Sequence, residues 1–366
     1  MKRKIMLISE VCLYGTYEHL SLLLKILLKE NFKIYFLYGK KRMDKRMLEF
    51  LVKNPEIHSI EIETFESKVS FKDLCTFIKI RKLIKEIKPD IVHCHSSIAG
   101  FSGRIAAKSC GVKKIIYSPH GYYFLNDSNS KIKSKIFLIA EKILSFFTDY
   151  TVTTSQSEEE CYQKNQIGSK DKSILIENGI NEKKLNEQEV LKIKEKINYQ
   201  KEDFIIGWMG RFSEQKDPKT MIEIFEILGK KGIKSIIFSD RFDYEIKSEN
   251  VFYMGKTDYP DEALSVMNIY LSTSLYEELP YAMIKALSLR KPIVATEVIG
   301  NIDCVKNGEN GYLFEVRNVS DAVSKILKIK DDNKSQIIMK NKSYEIFKKK
   351  FSLDSMRKKY MKLYEE

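Results

Sequence analysis

The stretch LYEELPYAMIKALSLRKPIVAT, residues 275–296, predicts a loop, a helix and a buried strand in close succession. Pro280 suits the start of the helix, because the N–H group that proline lacks would have no helical partner there. Glu277 and Glu278 come just before it, where the positive end of a helix dipole favours anions. Lys285 follows on the first turns, eight residues after Glu277. The stretch therefore predicts one unit of an α/β fold and leaves the role of Lys285 open.

The same alternation of strand-like and helical segments extends over the rest of the chain. Apolar runs predict strands, first at 4–9, 33–38, 90–95, 114–120 and 150–155, and then at 204–210, 234–240, 250–255, 269–274 and 292–296. Amphipathic runs predict helices between them, at 19–30, 71–88, 102–111, 134–147, 219–232 and after Pro280. This alternation indicates parallel sheets with helices on both faces. Two such series predict two Rossmann-like domains, with ligands beyond the carboxyl ends of the strands.

A length of 366 residues also favours two domains, at a usual ~100–200 residues each. The polar segment 181–204 separates them, so we expect an N-terminal domain over 1–182 and a C-terminal domain over 183–345. A last helix over 346–366 is expected to pack back on the N-terminal domain. The cysteines are scattered and form no CxxC pair, which favours the reducing cytoplasm. Neither a signal peptide nor a membrane-spanning segment is predicted.

Positive charge is concentrated in the first half of the chain. The net charge is +13, and residues 1–180 hold 30 Lys and Arg against 20 Asp and Glu. This favours an anionic partner, such as membrane lipid, a phosphorylated acceptor or nucleic acid, or it reflects a solvated lysine-rich surface. The helix at 134–147 follows the basic run KIKSK and suits a membrane surface, although its apolar face also suits packing on a sheet. No nucleic-acid recognition motif accompanies the charge.

The loop GWMGRFSEQKDP, residues 207–218, is the first candidate ligand site. A strand is predicted to end at Gly210 and a helix to start near Asp217 and Pro218, with Arg211 and Lys216 between them. Such a loop can present two cations and backbone N–H groups to a phosphate, and a surface loop with ordinary charges is the alternative. A dinucleotide-binding GxGxxG and a P-loop motif are both missing from the sequence.

Histidines mark a second candidate site in the first half. His120 and Gly121 follow a predicted strand, where the ring or carbonyl of His120 can meet a ligand, or where the ring can be a structural one. His93 and His95 share one face of another strand. With no Cys, Asp or Glu at ligand spacing, we predict no metal here.

Together these motifs resemble glycosyltransferase family 4, of the GT-B fold, in the branch that builds capsular, exopolysaccharide and O-antigen chains. They occur in family order over essentially the whole chain, as GTYEHLSLLL (15–24), HCHSSIAGFSGRIAA (93–107), YSPHGYYF (117–124), IENGI (176–180), GRFSEQK (210–216), YEELPYAMIKAL (276–287), KPIVAT (291–296) and GNIDCVKNGENGYLF (300–314). The resemblance implies two Rossmann-like domains that face each other across a cleft. It also implies a cytoplasmic glycosyltransferase, peripheral on the inner face of the cell membrane.

The resemblance assigns roles to individual residues. Arg211 and Lys216 hold the donor diphosphate, Glu277 faces the donor sugar, and His120 lies near the reacting sugar; these four are the implied catalytic residues. The remaining implied contacts are Gly15, Glu278, Leu279, Pro280 and Lys285 to the donor, and His95 and Tyr122 on the acceptor side. Gly15 is expected in a loop after the first strand, where its backbone can approach a ligand.

Several positions depart from the family pattern. Lys285 replaces the second glutamate of the E-x7-E signature, which usually holds the ribose hydroxyls, and Glu278 replaces a glycine. Asn268 stands where an aspartate is usual, and FSDRF at 238–242 replaces a Gly-Asp-Gly. A lysine cannot accept hydrogen bonds from hydroxyl groups, but it can donate to their oxygens or reach a phosphate. We therefore interpret Lys285 as an altered donor contact in a working enzyme.

The expected activity is transfer of a hexosyl or related sugar from a UDP- or GDP-linked donor to a lipid-linked or growing glycan. The resemblance implies retention of configuration, and the positioned cations imply that no metal or other cofactor is needed. The alternative is a non-catalytic subunit of the same fold that binds nucleotide and regulates a partner transferase. Lys285 and Glu278 favour that alternative, and nucleotide binding without donor hydrolysis would identify it. Nucleic-acid binding is a third hypothesis, suggested by charge alone.

Overall fold

A computed structural model describes residues 2–65, 72–125 and 130–365. The chain divides into two compact units. Unit 1 comprises Met1–Glu177 and Met356–Glu366, and unit 2 comprises Asn178–Ser355. The division falls between Glu177 and Asn178, where the sequence predicted it after residue 182. The predicted terminal helix is in fact the ends of two helices, one ending at Lys350 and one beginning at Leu353.

Unit 1 contains a parallel sheet of seven strands in the order β3-β2-β1-β4-β5-β6-β7. The strands are β1 (Arg3–Ser9), β2 (Phe32–Tyr38), β3 (Ile57–Glu61), β4 (Ile91–His95), β5 (Lys114–Ser118), β6 (Tyr150–Thr153) and β7 (Ser173–Leu175). Every residue of β4 and β5 is buried, as expected for central strands that helices cover on both faces. The sequence predicted five of these strands, but not the outer strands β3 and β7, which are only partly buried.

Seven helices with described residues surround this sheet. They are α1 (Tyr14–Lys29), α2 (Lys45–Lys53), α3 (Lys72–Ile87), α4 (Ser97–Ser109), α5 (Lys131–Ser145), α6 (Gln156–Lys164) and α14 (Leu353–Glu365). The predicted start of α3, at residue 71, lies outside the described residues. Two glycines of α4 allow close packing: a Cβ at Gly100 would lie 2.4 Å from the Tyr117 ring, and one at Gly103 would lie 2.5 Å from Cys94 Sγ.

Unit 2 contains a parallel sheet of six strands in the order β10-β9-β8-β11-β12-β13. The strands are β8 (Ile205–Met209), β9 (Lys234–Phe238), β10 (Val251–Tyr253), β11 (Ile269–Ser272), β12 (Ile293–Thr296) and β13 (Gly311–Phe314). Its helices are α7 (Glu187–Lys196), α8 (Pro218–Gly229), α9 (Pro260–Ser265), α10 (Tyr281–Ser288), α11 (Asn301–Cys304), α12 (Val319–Lys330) and α13 (Asn333–Lys350). Helix α7 lies inside the polar segment 181–204, which the sequence predicted only as a separator.

Both units match the prediction of Rossmann-like α/β domains. In unit 2, apolar side chains of α8 and α12 pack on the sheet around Trp208, whose indole Nε1 donates to Thr273 Oγ1 at 3.2 Å. Trp208 is the only tryptophan of the sequence and is almost fully buried. Within the described part of the chain, no helix is both long and apolar enough to cross a membrane.

Candidate active site

The loop between β8 and α8 brings Arg211 and Lys216 to the carboxyl end of the sheet in unit 2. Asp217 ends this loop in the left-handed region, with φ at 42°, and caps α8 by accepting from the backbone N–H of Thr220 at 3.3 Å. Thr273 Oγ1, at the end of β11, donates to the Lys216 carbonyl at 2.8 Å. The helix start that the sequence predicted at 217–218 is therefore confirmed, and these contacts hold the end of the loop that leads into α8.

Lys216 and Glu277 form an ion pair in which Lys216 Nζ donates to Glu277 Oε1. Ser274 Oγ donates to the same carboxylate oxygen at 2.6 Å. The side chains of Lys216 and Glu277 are 19% and 7% exposed, so the pair is shielded from water but can still be reached. The structure thus joins two predicted catalytic residues that are far apart in the sequence.

Arg211 belongs to the same group through Gln215. Its Nη2 donates to Gln215 Oε1 at 3.1 Å, and Gln215 Nε2 donates to the carbonyl of Tyr276 at 3.1 Å. The backbone of Gln215 also accepts from the N–H of Leu275 at 2.8 Å. These bonds tie the cationic loop to the segment that carries Glu277. Sequence reasoning missed Gln215, although a glutamine inside the GRFSEQK loop was a visible signal.

The segment Glu277–Pro280 leads directly into α10. The helix begins at Tyr281, and Pro280 is its N-cap. Pro280 therefore immediately precedes the helix, whereas the sequence predicted it as the first helical residue. The Leu279 carbonyl accepts from Asn178 Nδ2 at 3.4 Å, and Leu279 itself is buried. Four predicted donor residues therefore lie together at a helix N-terminus, which favours a negatively charged ligand.

Gly300 holds this segment by close backbone contact. Its φ is 82°, and a Cβ at this position would lie 2.3 Å from the carbonyl oxygen of Glu278. We expect Gly300→Ala to displace Glu277 and Glu278, lowering transferase activity on the order of tenfold or more and stability by about 1–3 kcal/mol. Steady-state kinetics and thermal unfolding would measure both effects.

Gly308→Ala is the matched control for that substitution. Gly308 has nearly the same φ, 83°, but a Cβ there would meet nothing within 4 Å. It therefore carries the backbone strain without the clash, and its activity should remain close to that of the wild type. Equal activity losses in the two variants would show that Gly300 does not act through the Glu278 backbone.

Lys285 does not join the group around Glu277 but forms an ion pair elsewhere in unit 2. Its Nζ lies 3.8 Å from Asp261 Oδ2 on α9, and the two side chains are only 9% and 11% exposed. Lys183 Nζ lies 3.7 Å from the same oxygen. The sequence did not identify Asp261 as a partner of Lys285. Acidic residues are common in the first turn of a helix, and Asp261 is one of two such residues in α9. The donor contact of Lys285 stays a prediction.

Unit 1 places its predicted site residues at the carboxyl ends of β4 and β5. His95 ends β4 and is fully buried, and its Nδ1 lies 3.0 Å from His120 Nε2. The rings of His93 and His95 are 4.0 Å apart, and His93 is held by Tyr364 Oη at 2.7 Å and Ser118 Oγ at 2.9 Å. Burial holds the pKa values of His93 and His95 well below the ordinary value and lowers that of His120 to about 4. These imidazoles are therefore neutral near pH 7.

Two residues near this cluster escaped the sequence reasoning. His19 on α1 lies beside His120, with ring centroids 4.6 Å apart, and contacts Tyr360 Oη at 3.1 Å. Glu10, just after β1, is buried and accepts from the Ala99 N–H at 2.9 Å, so it caps α4; burial raises its pKa. His19 lies in the motif GTYEHLSLLL, which was the available signal.

Gly15 and Tyr122 differ from the expectations. Gly15 was expected in a loop, but it lies in the first turn of α1, because the helix begins at Tyr14. Tyr122 is 4% exposed and packs with Tyr162 and Ile167 in a separate apolar cluster. The structure therefore does not bring its ring to the histidines, and its role on the acceptor side stays a prediction.

An open cavity of about 550 Å³ also borders the cationic loop in unit 2. Phe212, Asp217, Arg241, Tyr244 and Arg317 are among its lining residues. Lys216 and Glu277 are not among its lining residues. The cavity is therefore next to their ion pair and does not contain it.

Two family descriptions match the chain, one for each half. "Glycosyltransferase Family 4" matches residues 19–184, and "Glycosyl transferases group 1" matches residues 189–346. An uncharacterized 41.2 kDa protein in the cps region of Klebsiella pneumoniae is 30% identical over 302 residues, which cover 79% of this chain and 82% of that protein. The chain belongs to glycosyltransferase family 4. Its branch, too, is as predicted, because its relatives include capsule and polysaccharide glycosyltransferases.

Other members of the family show the same relation. The capsular polysaccharide biosynthesis glycosyltransferase CapM of Staphylococcus aureus is 25% identical, with 86% of this chain and 93% of CapM covered. An Escherichia coli UDP-Gal:alpha-D-GlcNAc-diphosphoundecaprenol alpha-1,3-galactosyltransferase is 27% identical, with 74% of each chain covered. Anabaena HepE, solved with UDP and glucose, is 16% identical with a TM-score of 0.81 and 99% of each chain covered. That likeness shows that this glycosyltransferase has the GT-B fold.

Proposed function

We propose that this glycosyltransferase moves a sugar from a UDP- or GDP-linked donor to a lipid-linked or growing glycan during surface polysaccharide synthesis. The donor is assigned to unit 2 and the acceptor to unit 1. The observation that carries the proposal is the Lys216–Glu277 ion pair, with Arg211 tied to the same segment by Gln215. Two cations, a carboxylate and the N-terminus of α10 form a site suited to a sugar diphosphate.

The chemistry follows from these groups. Cleavage of the glycosidic bond leaves a nucleoside diphosphate, whose growing negative charge must be stabilised as the bond breaks. Arg211 and Lys216 can each contribute a charge-assisted contact of about 1.5–3 kcal/mol. In the described part of the chain, Glu277 accepts hydrogen bonds through Oε1. Its Oε2 is then the oxygen that we assign to a sugar hydroxyl group.

The relatives support the choice of substrates. The E. coli relative is named for UDP-Gal and for a diphosphoundecaprenol-linked acceptor. HepE was solved with UDP and glucose, and a structure of S. aureus TarM contains UDP and alpha-GlcNAc-glycerol. The alpha linkages in these names accord with the retention that we propose. NMR of the anomeric proton of the product would test it.

A donor screen tests the proposal as a whole. The full chain is incubated with UDP- and GDP-sugars, with and without a diphosphate-lipid acceptor, and release of nucleoside diphosphate is followed. We expect slow hydrolysis of one donor and faster release when acceptor is present. Tight nucleotide binding without turnover of any donor would instead support the alternative, a non-catalytic subunit.

We predict that transfer does not require a divalent metal ion at the donor. The cations and helix N-terminus supply the charge that a metal would otherwise provide. Activity should therefore remain within about twofold of its starting value after EDTA treatment and removal of the chelate. A complete loss that Mn²⁺ or Mg²⁺ restores would show that a metal handles the leaving group.

Helix α5 presents an apolar stripe that suits a lipid surface. The residues of this stripe recur at helical spacing and are 48–78% exposed: Ile132, Ile136, Ile139 and Ile143 of α5, and Phe146 at its C-cap. The opposite face of α5 packs inside unit 1, where Glu141 forms an ion pair with Arg104 at 3.0 Å. Exposed lysines at 131, 133 and 135 flank the stripe. An apolar stripe beside lysines complements an anionic bilayer, and we propose that α5 carries peripheral attachment there.

We predict weak, salt-sensitive binding of the protein to anionic liposomes through this stripe. The triple substitution Ile132→Ser, Ile136→Ser, Phe146→Ser should lower liposome binding on the order of tenfold or more in a sedimentation assay, because apolar burial contributes to surface binding. Ile337→Ser with Ile338→Ser is the control, since both side chains are about 60% exposed on α13. Equal binding by the two variants, or binding unchanged at high salt, would contradict the assignment.

A further inference from the structure

Three imidazoles of unit 1 converge on one point. One nitrogen from each of His19, His95 and His120 lies within 4.8 Å of the other two. Zinc binds histidine nitrogens at roughly 2.0–2.1 Å in a tetrahedral arrangement, which separates neighbouring ligand nitrogens by roughly 3.3 Å. His95 Nδ1 and His120 Nε2 face each other at 3.0 Å, which is hydrogen-bond distance and keeps these two rings side by side. A bound ion would draw one nitrogen of each ring to ligand distance.

A second, independent observation points to a ligand at this cluster. His95 is fully buried, and its Nε2 has no hydrogen-bond partner among the described residues. Whichever tautomer His95 adopts, this nitrogen keeps either an unused proton or an unused lone pair. A buried polar atom without a partner costs about 1–3 kcal/mol. Such an atom in a native fold calls for an explanation, and an ion bound through His95 Nε2 would supply one, with Nδ1 still directed at His120.

Neighbouring side chains hold the rings of this cluster in place. Tyr360 contacts His19 at 3.1 Å, and the His93 ring lies 4.0 Å from that of His95. Contacts of this kind orient ligands around a metal. His120 is only half-buried, which gives an ion a path to the cluster.

We propose that His19, His95 and His120 bind one late first-row divalent cation, with Zn²⁺ as the ion that fits best. This departs from the sequence prediction of no metal here, because His19 comes from a distant helix and could not be found by spacing. An all-imidazole set suits zinc, copper and nickel, whereas magnesium, manganese and calcium prefer oxygen ligands. Three protein ligands leave one tetrahedral position open to water or to a hydroxyl group. All three ligands belong to unit 1. The bound ion would occupy His120 and lower the transferase activity, a consequence that rests on the proposed role of His120.

Metal titration of the full, tag-free chain tests the site without donor or acceptor. After removal of metal by a chelator, Zn²⁺ is titrated in competition with a chromophoric chelator, and the visible spectrum of the Co²⁺ form is recorded. We expect one equivalent of bound metal and the intense bands of four-coordinate Co²⁺. His19→Gln and His120→Gln should each weaken binding on the order of 100-fold or more, since the loss of a supporting contact alone costs about 10–100-fold.

His58→Gln is the matched control, because His58 is exposed on β3 and lies outside the cluster. It should bind metal like the wild type, and circular dichroism should show that all variants are folded. Unchanged binding in His19→Gln and His120→Gln would overturn the proposal. So would sulfur-to-cobalt charge-transfer bands, which would place the metal at a thiol such as the exposed Cys75. Metal binding at the histidines without loss of turnover would overturn only the role given to His120.

Discussion

Replacing either cation of the donor loop should lower kcat/KM on the order of 100-fold or more. We expect this for Arg211→Ala and for Lys216→Ala, because each cation stabilises charge that grows only as the glycosidic bond breaks. Contacts made mainly in the transition state act on kcat, so the loss should appear there more than in KM. Steady-state kinetics with the donor from the screen would measure it.

The structure sharpens this test through the Lys216–Glu277 pair. Lys216→Ala leaves a carboxylate that is 7% exposed without its cation, so stability should fall together with activity. For Arg211→Ala, the acceptor left behind at Gln215 is neutral, so no unpaired charge remains on that residue. Lys231→Ala, just beyond the far end of α8, is the control and should keep both properties. Near-normal kcat/KM in Arg211→Ala and Lys216→Ala would remove both residues from the diphosphate site.

The substitution Lys285→Glu should destabilise unit 2 strongly, although it restores the family signature. The new carboxylate would face Asp261 Oδ2 where Lys285 Nζ now lies 3.8 Å away, at a site where both side chains are about nine-tenths buried. Breaking a buried ion pair costs about 3–5 kcal/mol, and like-charge repulsion adds to this. A fall in Tm on the order of 10 °C follows for a domain of this size. Thermal unfolding with and without nucleotide would measure it.

A charge-reversed double variant tests whether the loss of stability in Lys285→Glu comes from the broken ion pair with Asp261. Lys285→Glu combined with Asp261→Lys restores opposite charges and should recover much of the lost stability. Lys348→Glu is the surface control, because Lys348 pairs with Glu182 at 3.1 Å where both side chains are about half exposed. Such pairs contribute about 0–1 kcal/mol. A Lys285→Glu variant as stable as wild type would show that the Asp261 pair contributes little.

These variants also address whether the site works with a lysine at position 285. If Lys285 contacts the donor, the charge-reversed double variant, once folded, should bind the nucleotide more weakly than wild type. Lys285→Met keeps the length of the side chain and should weaken binding without abolishing turnover. A charge-reversed double variant that binds more tightly and hydrolyses donor, beside an inert wild type, would instead favour the non-catalytic alternative.

The sequence by itself determined the two α/β units and the donor loop. Strand and helix periodicity is local, so the buried strands β4, β5 and β8 and the start of α8 were predictable from a few neighbouring residues each. The loop residues Arg211 and Lys216 were predictable for the same reason, because strand end, cations and helix start follow one another along the chain. The outer strands β3 and β7 were missed because they bury too little apolar surface to show a clear pattern.

Only the tertiary structure decided which distant residues meet. Lys285 finds Asp261, and His19 joins His95 and His120, through packing between elements that are far apart in the sequence. Helix α5 is apolar on more than one face, so the sequence could not predict which face would be buried. In the structure Glu141 and Leu144 are buried, and the isoleucines are exposed. Periodicity specifies each element, whereas pairings between elements depend on how side chains fit and which charges burial forces together.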